Sequence, residues 1–433
     1  MAESFNYYQR SCVSAPRRAQ LSGRVEADVC VVGAGIAGLS CALELLRRGR
    51  QVLLLESQQI AFGASGRNGG FVLGGYARGL ESLESQLGLA RARALFELSL
   101  EGVASVRDNI QRLQLAGCAP TPGQLTLSRV PELDALRRQR DWLARDYDYS
   151  VELVEGDELA ELVRSPRYHA ALRDDHGFHF HPLNYCLGLA AEIERLGGRI
   201  HERSAVTRLD RKGSALRLRS DDGEVLAREV VLCGGGYAGP ALGRVHRATL
   251  PIASYVMVTE PLGERAASAI RSDAALMDDR RAGNYFRLLP ARRGEHGQRL
   301  LWGGHITARR QPPADLAGFM LRDLRASFEQ LDGLRADSAW SGLMAYAGHK
   351  MPCIGPLGEG LWACTAFGGH GMNTAPIGAR LVAEAICGES DRYRQFADFG
   401  LSWNGGPFGP LAAEAGYLAL RLRDWWRERP FGG

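Results

Sequence analysis

Of the 53 basic residues in this 433-residue chain only Lys212 and Lys350 are lysines, so its cationic chemistry rests almost wholly on arginine. The bias reads as coding preference rather than as a phosphate-binding strategy. A formal net charge of +4 is small for the length and gives no argument for a nucleic-acid partner. The nine cysteines, at 12, 30, 41, 118, 186, 233, 353, 364 and 387, include no CxxC pair. Several fall on expected strands or helices as small apolar residues, so no metal site is expected and the usage suits a reducing cytoplasm. No apolar run approaches membrane-spanning length, and MAESFNYYQRSC has no apolar core of signal-peptide length. A cytoplasmic location is therefore expected. Internal repeats and long low-complexity linkers are also absent. A 45% hydrophobic content over this length is enough for a large core or two interleaved ones.

Against these absences stands one dense motif, DVCVVGAGIAGLSCALELLRRGRQVLLLE, from Asp28 to Glu56. Val29 to Val32 suits a parallel strand buried on both faces. Gly33 supplies a tight turn, Gly35 lets a pyrophosphate lie on the backbone, and Gly38 allows close packing of helix on strand. Ile36 and Ala37 open the helix, whose free N–H groups and dipole favour an anion. Leu39, Leu43, Leu45 and Leu46 keep helical spacing up to Gly49. Val52 to Leu55 then form a second strand ending in Glu56, placed to accept hydrogen bonds from an adenosine ribose, followed by Ser57. A carboxylate there disfavours a 2′-phosphate. The segment predicts a dinucleotide and by itself leaves FAD and NAD open.

The loop SQQIAFGASGRNGGF follows, in which Ser65, Gly66, Arg67, Asn68, Gly69 and Gly70 combine donors with permissive backbone. With this loop the chain resembles the D-amino-acid-oxidase superfamily of flavoenzymes and, within it, the γ-glutamylputrescine oxidase group. Further matching segments are HPLNYCLGLA from His181, SAVTRL from Ser204, TEPLGE from Thr259, NYFRLL from Asn284, MPCIGPL from Met351 and GGHGMNTAPIGARLVAEAI from Gly368. The resemblance runs from about Tyr7 to the C-terminus. It implies an α/β fold: a Rossmann-like FAD-binding domain interleaved with an α+β substrate domain that carries a mixed or antiparallel sheet. The FAD domain is expected from 26–80, 150–245 and 350–395, the substrate domain from 81–149 and 246–349, and 396–433 as a C-terminal extension.

The resemblance also implies cofactor contacts beyond the fingerprint: Val206 on an adenine-side strand, Gly234, Gly235 and Tyr237 in CGGGYAG, and Gly369, His370, Gly371, Met372 and Asn373. In the last segment an apolar strand, Trp362 to Ala366, leads through glycines into a helix expected to begin near Thr374 or Pro376. Its amides would stabilise charge on a reduced flavin. Earlier, residues 80–150 read as helical, with Leu95, Leu98, Val103, Val106 and Ile110 in register until Gly117, and Leu133, Leu136 and Leu143 again. Pro182 opens a helix running to Gly197, and strands are expected at 199–201, 230–232, 253–258, 285–289 and 300–302, with a helix near 316–331.

The implied chemistry is oxidation of an amine or amino acid by hydride transfer to flavin, with imine hydrolysis and reoxidation by O2 or another acceptor. Such chemistry needs no dedicated acid or base. Tyr285 and Arg287 share one face of a strand, and Arg287 is a candidate clamp for a carboxylate. His370 is the candidate nearest the flavin, and His305 and Tyr346 are further candidate pocket residues. Two departures from sarcosine-oxidase relatives matter. WSGLMAYAGHK contains no cysteine, so the FAD is expected to be noncovalent; and Arg299 to His305 contains no lysine, so oxygen need not be the acceptor. The substrate implied is a γ-glutamylputrescine-like ω-amine, with a secondary amino acid such as pipecolate or sarcosine, or a noncatalytic flavin-binding role, as alternatives. Finally, Leu411, Ala415, Leu418, Leu422 and Trp425 predict an amphipathic C-terminal helix, expected to dock on its own domain rather than on a membrane.

Overall fold

The computed structural model describes residues 6–281, 283–292 and 294–429; residues 430–433 of the expected C-terminal extension lie outside them. Five strands form a parallel array in the order Leu361–Thr365, Gly223–Leu232, Gly23–Val32, Val52–Leu55 and Arg199–His201. The register places Val32 opposite both Leu55 and Leu232. Three strands therefore end side by side, and the turns that follow them, at Gly33, Glu56 and Cys233, meet at one edge. Cys353–Gly358 closes one side of this sheet antiparallel, and the hairpin Arg208–Lys212 with Ala215–Arg219 extends from Gly223–Leu232. Val29 to Val32 and Val52 to Leu55 are buried throughout, as expected of strands covered on both faces.

The fingerprint helix Ile36–Arg47 packs beside Gly371–Ile386 and Pro182–Arg195. Gly371–Ile386 in turn crosses the long helix Leu89–Arg112. At that crossing a Cβ on Gly102 would lie 2.1 Å from the Asn373 carbonyl oxygen, so only glycine permits the approach.

A second, nine-stranded sheet runs in the order Ala336–Tyr346, Leu250–Thr259, Arg299–Thr307, Tyr285–Leu289, Ala275–Asp278, Thr121–Ser128, Ala170–His179 and Phe71–Val72, with Glu152–Glu155 beside Ala170–His179. Its pairings are antiparallel except that between Ala275–Asp278 and Thr121–Ser128. Side chains alternate across it. One face carries Met257, Phe286, Leu300 and Trp302 against the helix Leu316–Ser327 and Phe328. The other carries Tyr285 and Arg287 toward the loops of the first sheet.

The structure revises several sequence expectations. Thr121–Ser128 is a strand inside the stretch read as helical, because QLTLS alternates over too few residues to outweigh its helical flanks. Glu152–Glu155 and Ala170–His179, expected with the first sheet, pair within the second. Residues 204–207 are irregular, and the strand expected there starts at Arg208. The helix expected near Thr374 or Pro376 begins at Gly371, with Pro376 inside it.

The C-terminal helix Gly409–Glu428 does dock on its own domain, but through its polar side. Glu414 accepts from Thr307 Oγ1 (2.7 Å) and the Ala308 amide (2.9 Å), and Glu428 accepts from Arg280 Nη2 (2.6 Å).

The α-covered face of the second sheet makes a stability test. Phe286 is fully buried and stacks on Trp302 at a centroid distance of 4.8 Å. Phe286→Ala is expected to lower the unfolding free energy by about 3–5 kcal/mol, read from denaturant melts.

Candidate active site

The site is built at the aligned strand ends. Gly33 has φ +105°, and a Cβ there would meet the Cys233 carbonyl oxygen at 2.9 Å. One on Gly38 would fall 1.7 Å from the Gly33 oxygen, a contact that no side-chain motion relieves. Gly35, the N-cap, gives the helix no side-chain cap, and the Ile36 amide donates instead to Ser65 Oγ at 2.9 Å. The Ala34 amide donates to Glu56 Oε2 at 2.7 Å, while Glu56 Oε1 accepts from the Gln58 amide and from Ser57 Oγ. A hydroxyl and a carboxylate thus occupy the positive end of the fingerprint helix.

The polar loop that follows is tied down by its own side chains. Arg67 donates to the Phe62 and Ser341 carbonyls and lies over the Phe62 ring, and Asn68 bonds the Ala64 and Ser65 carbonyls and the Gly70 amide. Gly66 passes so close to the Ala61 carbonyl that a Cβ would reach it at 2.4 Å. Asn68 is therefore spent on holding the loop, whereas Arg67 is tied through Nε and Nη1 and keeps Nη2 without a hydrogen-bond partner among the described residues. The return segment meets this loop. The Cys233 amide donates to the Val32 carbonyl, Gly234 and Gly235 turn the chain, and Tyr237 packs edge-on against Phe62 while its hydroxyl accepts from the Leu343 amide. Val206, half-buried, follows Ser204, whose amide donates to the Glu56 carbonyl at 2.7 Å.

At the third segment, Ala366, Gly368 and Gly369 all have positive φ, turning the chain into His370, the N-cap of Gly371–Ile386. His370 Nδ1 is buried without a hydrogen-bond partner, and burial holds its imidazole below the ordinary histidine range. Met372 is buried, and the Asn373 side chain turns away from the cleft to the Gly75 and Ser99 carbonyls. Tyr346 covers this turn: a Cβ on Gly368 would touch its ring at 3.1 Å. Met344 Sδ lies as close to Gly369.

Tyr285 stands over Gly69 and Gly303, its ring edge-on to Phe71 and its hydroxyl 3.4 Å from Ser254 Oγ. Burial pushes its phenol up to about 12. The space it needs exists because positions 69 and 303 are glycine. Phe71, Gly303 and Met344 carry no sequence signal of their own; only strand pairing brings them here.

Two candidates are placed elsewhere than expected. Arg287 is buried with no carboxylate partner: Nε donates to the Gly69 carbonyl (2.7 Å), Nη1 to His179 Nδ1 (2.8 Å), and Nη2 to the Phe180 carbonyl (3.0 Å) and Tyr8 Oη (3.2 Å). Four of its five N–H groups are spent on structure, which leaves no free pair for a bidentate carboxylate and is a correction to the carboxylate clamp. His305 follows the irregular Gly304, takes φ +56° and turns to the other side of the sheet, against Phe319 and 3.4 Å from Asp323. It does not line the cleft.

Behind the Gly33 turn, the Cys41, Cys233 and Cys364 sulfurs lie within 4.8 Å of one another, all buried, the one such thiol, imidazole or carboxylate group among the described residues. Each comes from a different element, so spacing along the chain cannot reveal the cluster. They pack into the apolar core between helices and sheet.

A model of the DAO family, described as FAD dependent oxidoreductase, matches residues 28–385. The chain is 33% identical to gamma-glutamylputrescine oxidoreductase of Escherichia coli, over 91% of each chain. It is 29% identical to the probable oxidoreductase OrdL of Haemophilus influenzae, over 93% of each. Among solved structures, glycine oxidase from Geobacillus kaustophilus superposes with a TM-score of 0.72 at 20% identity, covering 87% of this chain and 99% of that one. L-Proline dehydrogenase from P. horikoshii gives 0.70 at 18% identity, covering 88% and 100%.

The Arg287 cluster sets an acid limit on stability. His179 donates from Nε2 to the Asp273 carbonyl and accepts at Nδ1 from Arg287, so it must stay neutral. Burial, then the Arg287 charge, lowers its pKa from 6.5 to about 3. Below 6.5 the unfolded chain takes a proton that the folded chain refuses, so stability is complete above that pH and falls as pH drops toward 3. His179→Gln is expected to reduce the slope of unfolding free energy against pH in this window by about 1.4 kcal/mol per unit. Urea melts across the window measure it.

Proposed function

Because the chain belongs to the DAO family of FAD-dependent oxidoreductases, we propose that it oxidises an ω-amine of the γ-glutamylputrescine kind. The residues fit the cofactor. An uncapped helix start, three glycine-lined strand ends and the orphaned His370 Nδ1 form a polar backbone cradle of the sort a diphosphate and a flat ring require. In this reading the amides from Ile36 to Gly38 and Ser65 hold the diphosphate, Glu56 and Ser57 the ribose, Val206 the adenine side, and Gly234 to Tyr237 and Gly369 to Met372 the flavin. No cysteine lies in Ala336–Tyr346, and Cys353 is buried with Sγ 3.9 Å from the Gly400 carbonyl, so the attachment proposed is noncovalent.

When bound, FAD supplies the acceptor for a hydride from the carbon next to nitrogen, leaving an imine for water to hydrolyse and electrons for O2 or another acceptor. The chain's part is placement and exclusion of water. Tyr285, Phe71, Met344 and Tyr346 give the cleft aromatic and apolar walls that favour the neutral form of an amine. His370, kept neutral by burial, adds a polar atom without a charge. The observation that carries the substrate reading is Arg287. Four of its five N–H groups are committed to two carbonyls, His179 and Tyr8, which leaves no pair of donors to clamp a carboxylate beside the reacting carbon. A terminal amine needs no such partner. The identity with the E. coli gamma-glutamylputrescine oxidoreductase supports the same class.

The acceptor follows similar reasoning. Arg299–Thr307 has no lysine, and Lys350 is solvent-exposed in a turn closed by its own amide and the Ala347 carbonyl. A dehydrogenase with an acceptor other than oxygen is compatible with this arrangement.

Anaerobic mixing of the purified flavoprotein with a panel of amines tests the reading. Bleaching of the visible flavin band is expected to be at least about tenfold faster with γ-glutamylputrescine than with sarcosine or pipecolate, as differential binding of a preferred substrate requires. Faster bleaching by the secondary amino acids would transfer the assignment to them. A coloured protein that no amine bleaches would make it a noncatalytic flavin binder.

A further inference from the structure

Most of the large hydrophobic side chains left in solvent are concentrated in one place. Of the nine among the described residues, seven are Trp403, Phe408, Leu411, Leu418, Leu422, Trp425 and Trp426, on the helix Gly409–Glu428 and the segment leading into it. Leu411, Ala415, Leu418, Leu422 and Trp425 recur at alternating spacings of four and three, which draws one stripe along the helix. That stripe faces outward, with Leu411 69% and Trp425 50% exposed. A helix that docks by its apolar face, as sequence alone predicts, would hide these residues. Here the three acids of the helix are turned inward instead. Glu414 bonds Thr307 and the Ala308 amide, Asp424 is buried, and Glu428 pairs with Arg280 and Arg129.

The outward side therefore keeps apolar groups and cations only. Arg423 is exposed and joins no ion pair among the described residues, and the Arg429 guanidinium lies over both Trp425 and Trp426, at 4.5 and 5.3 Å. We propose that this face lies on an anionic lipid bilayer, with the helix in the interfacial plane. Charge decides the occupant. Arg421 and Arg427 are paired within the chain, which leaves Arg423 and Arg429 for an outside partner; a second copy of the face would bring no outward carboxylate on the helix to answer them, whereas an anionic headgroup layer answers both and accommodates tryptophan at the water boundary. Two tryptophan rings with one arginine over both match an interface that is apolar on one side and wet on the other. No helix of the described residues is long and apolar enough to cross a membrane, so the attachment is peripheral.

Flotation of the holoprotein with vesicles tests this, using phosphatidylcholine alone and phosphatidylcholine mixed with phosphatidylglycerol. Binding is expected with the mixed vesicles, weakening as salt rises. Arg423→Ser is expected to lower the partition constant about fivefold. Trp425→Ser combined with Trp426→Ser is expected to abolish flotation while the flavin band stays as in wild type, which reports an intact fold. Failure of the wild-type holoprotein to float with either vesicle overturns the proposal, as does undiminished flotation of the double variant. A dimer in sedimentation that Leu418→Glu dissolves, without vesicle binding, would assign the face to a second copy.

Discussion

The rest of the molecule depends on one close approach. The Gly33 carbonyl and the Cα of Gly38 come together so tightly that any side chain at 38 would overlap the oxygen. This contact fixes the fingerprint helix against its strand, aims the helix start at the cleft and sets where the Cys233 return loop can pass. Because Val32, Leu55 and Leu232 stand in register, three turns distant in sequence converge on that point without a separate ordering cost. The second sheet is then placed against a pre-formed edge. Arg287 completes the join, tying a strand of the second sheet to the Gly69 backbone in the loop that runs from Val52–Leu55 of the first sheet to Phe71–Val72 of the second.

A buried guanidinium without a carboxylate is an unusual fastening. Its charge is met by two carbonyls, a neutral imidazole and a phenol, so the cost of desolvation is offset by hydrogen bonds and not by an ion pair. The same guanidinium holds His179 and His181 in their neutral forms, together with burial. Cohesion of the fold and acid stability are thus two readings of a single charge. With four of its five N–H groups bonded within the fold, the arginine acts here as a fastening.

What was legible in the chain follows the range of the signals. Strand, turn, helix and acid from Asp28 to Glu56 are encoded within thirty residues, and their order survives intact in the fold. Pro182 opens its helix, where the missing amide is no loss. Arg287 and Tyr285 do share a strand face, as period-two alternation requires, but alternation cannot say that Gly69, Phe180 and His179 wait opposite. His305 was misplaced because the sheet shifts register beside Gly304, and a shift of one residue exchanges the two faces of a strand. Helix Gly371–Ile386 begins before its proline, since tertiary packing against Leu89–Arg112 outweighs the local preference. The C-terminal stripe was visible from its spacing. Its direction was not, because that is set by where partners for three acids lie.

The bareness of Gly69 and Gly303 has an evolutionary corollary. Neither contributes an atom to chemistry, yet both leave the room in which the Tyr285 ring lies. A single methyl at either position would push the ring aside. Descendants of this fold can therefore move an aromatic ring by filling the vacant space beneath it, while the ring itself stays chemically the same.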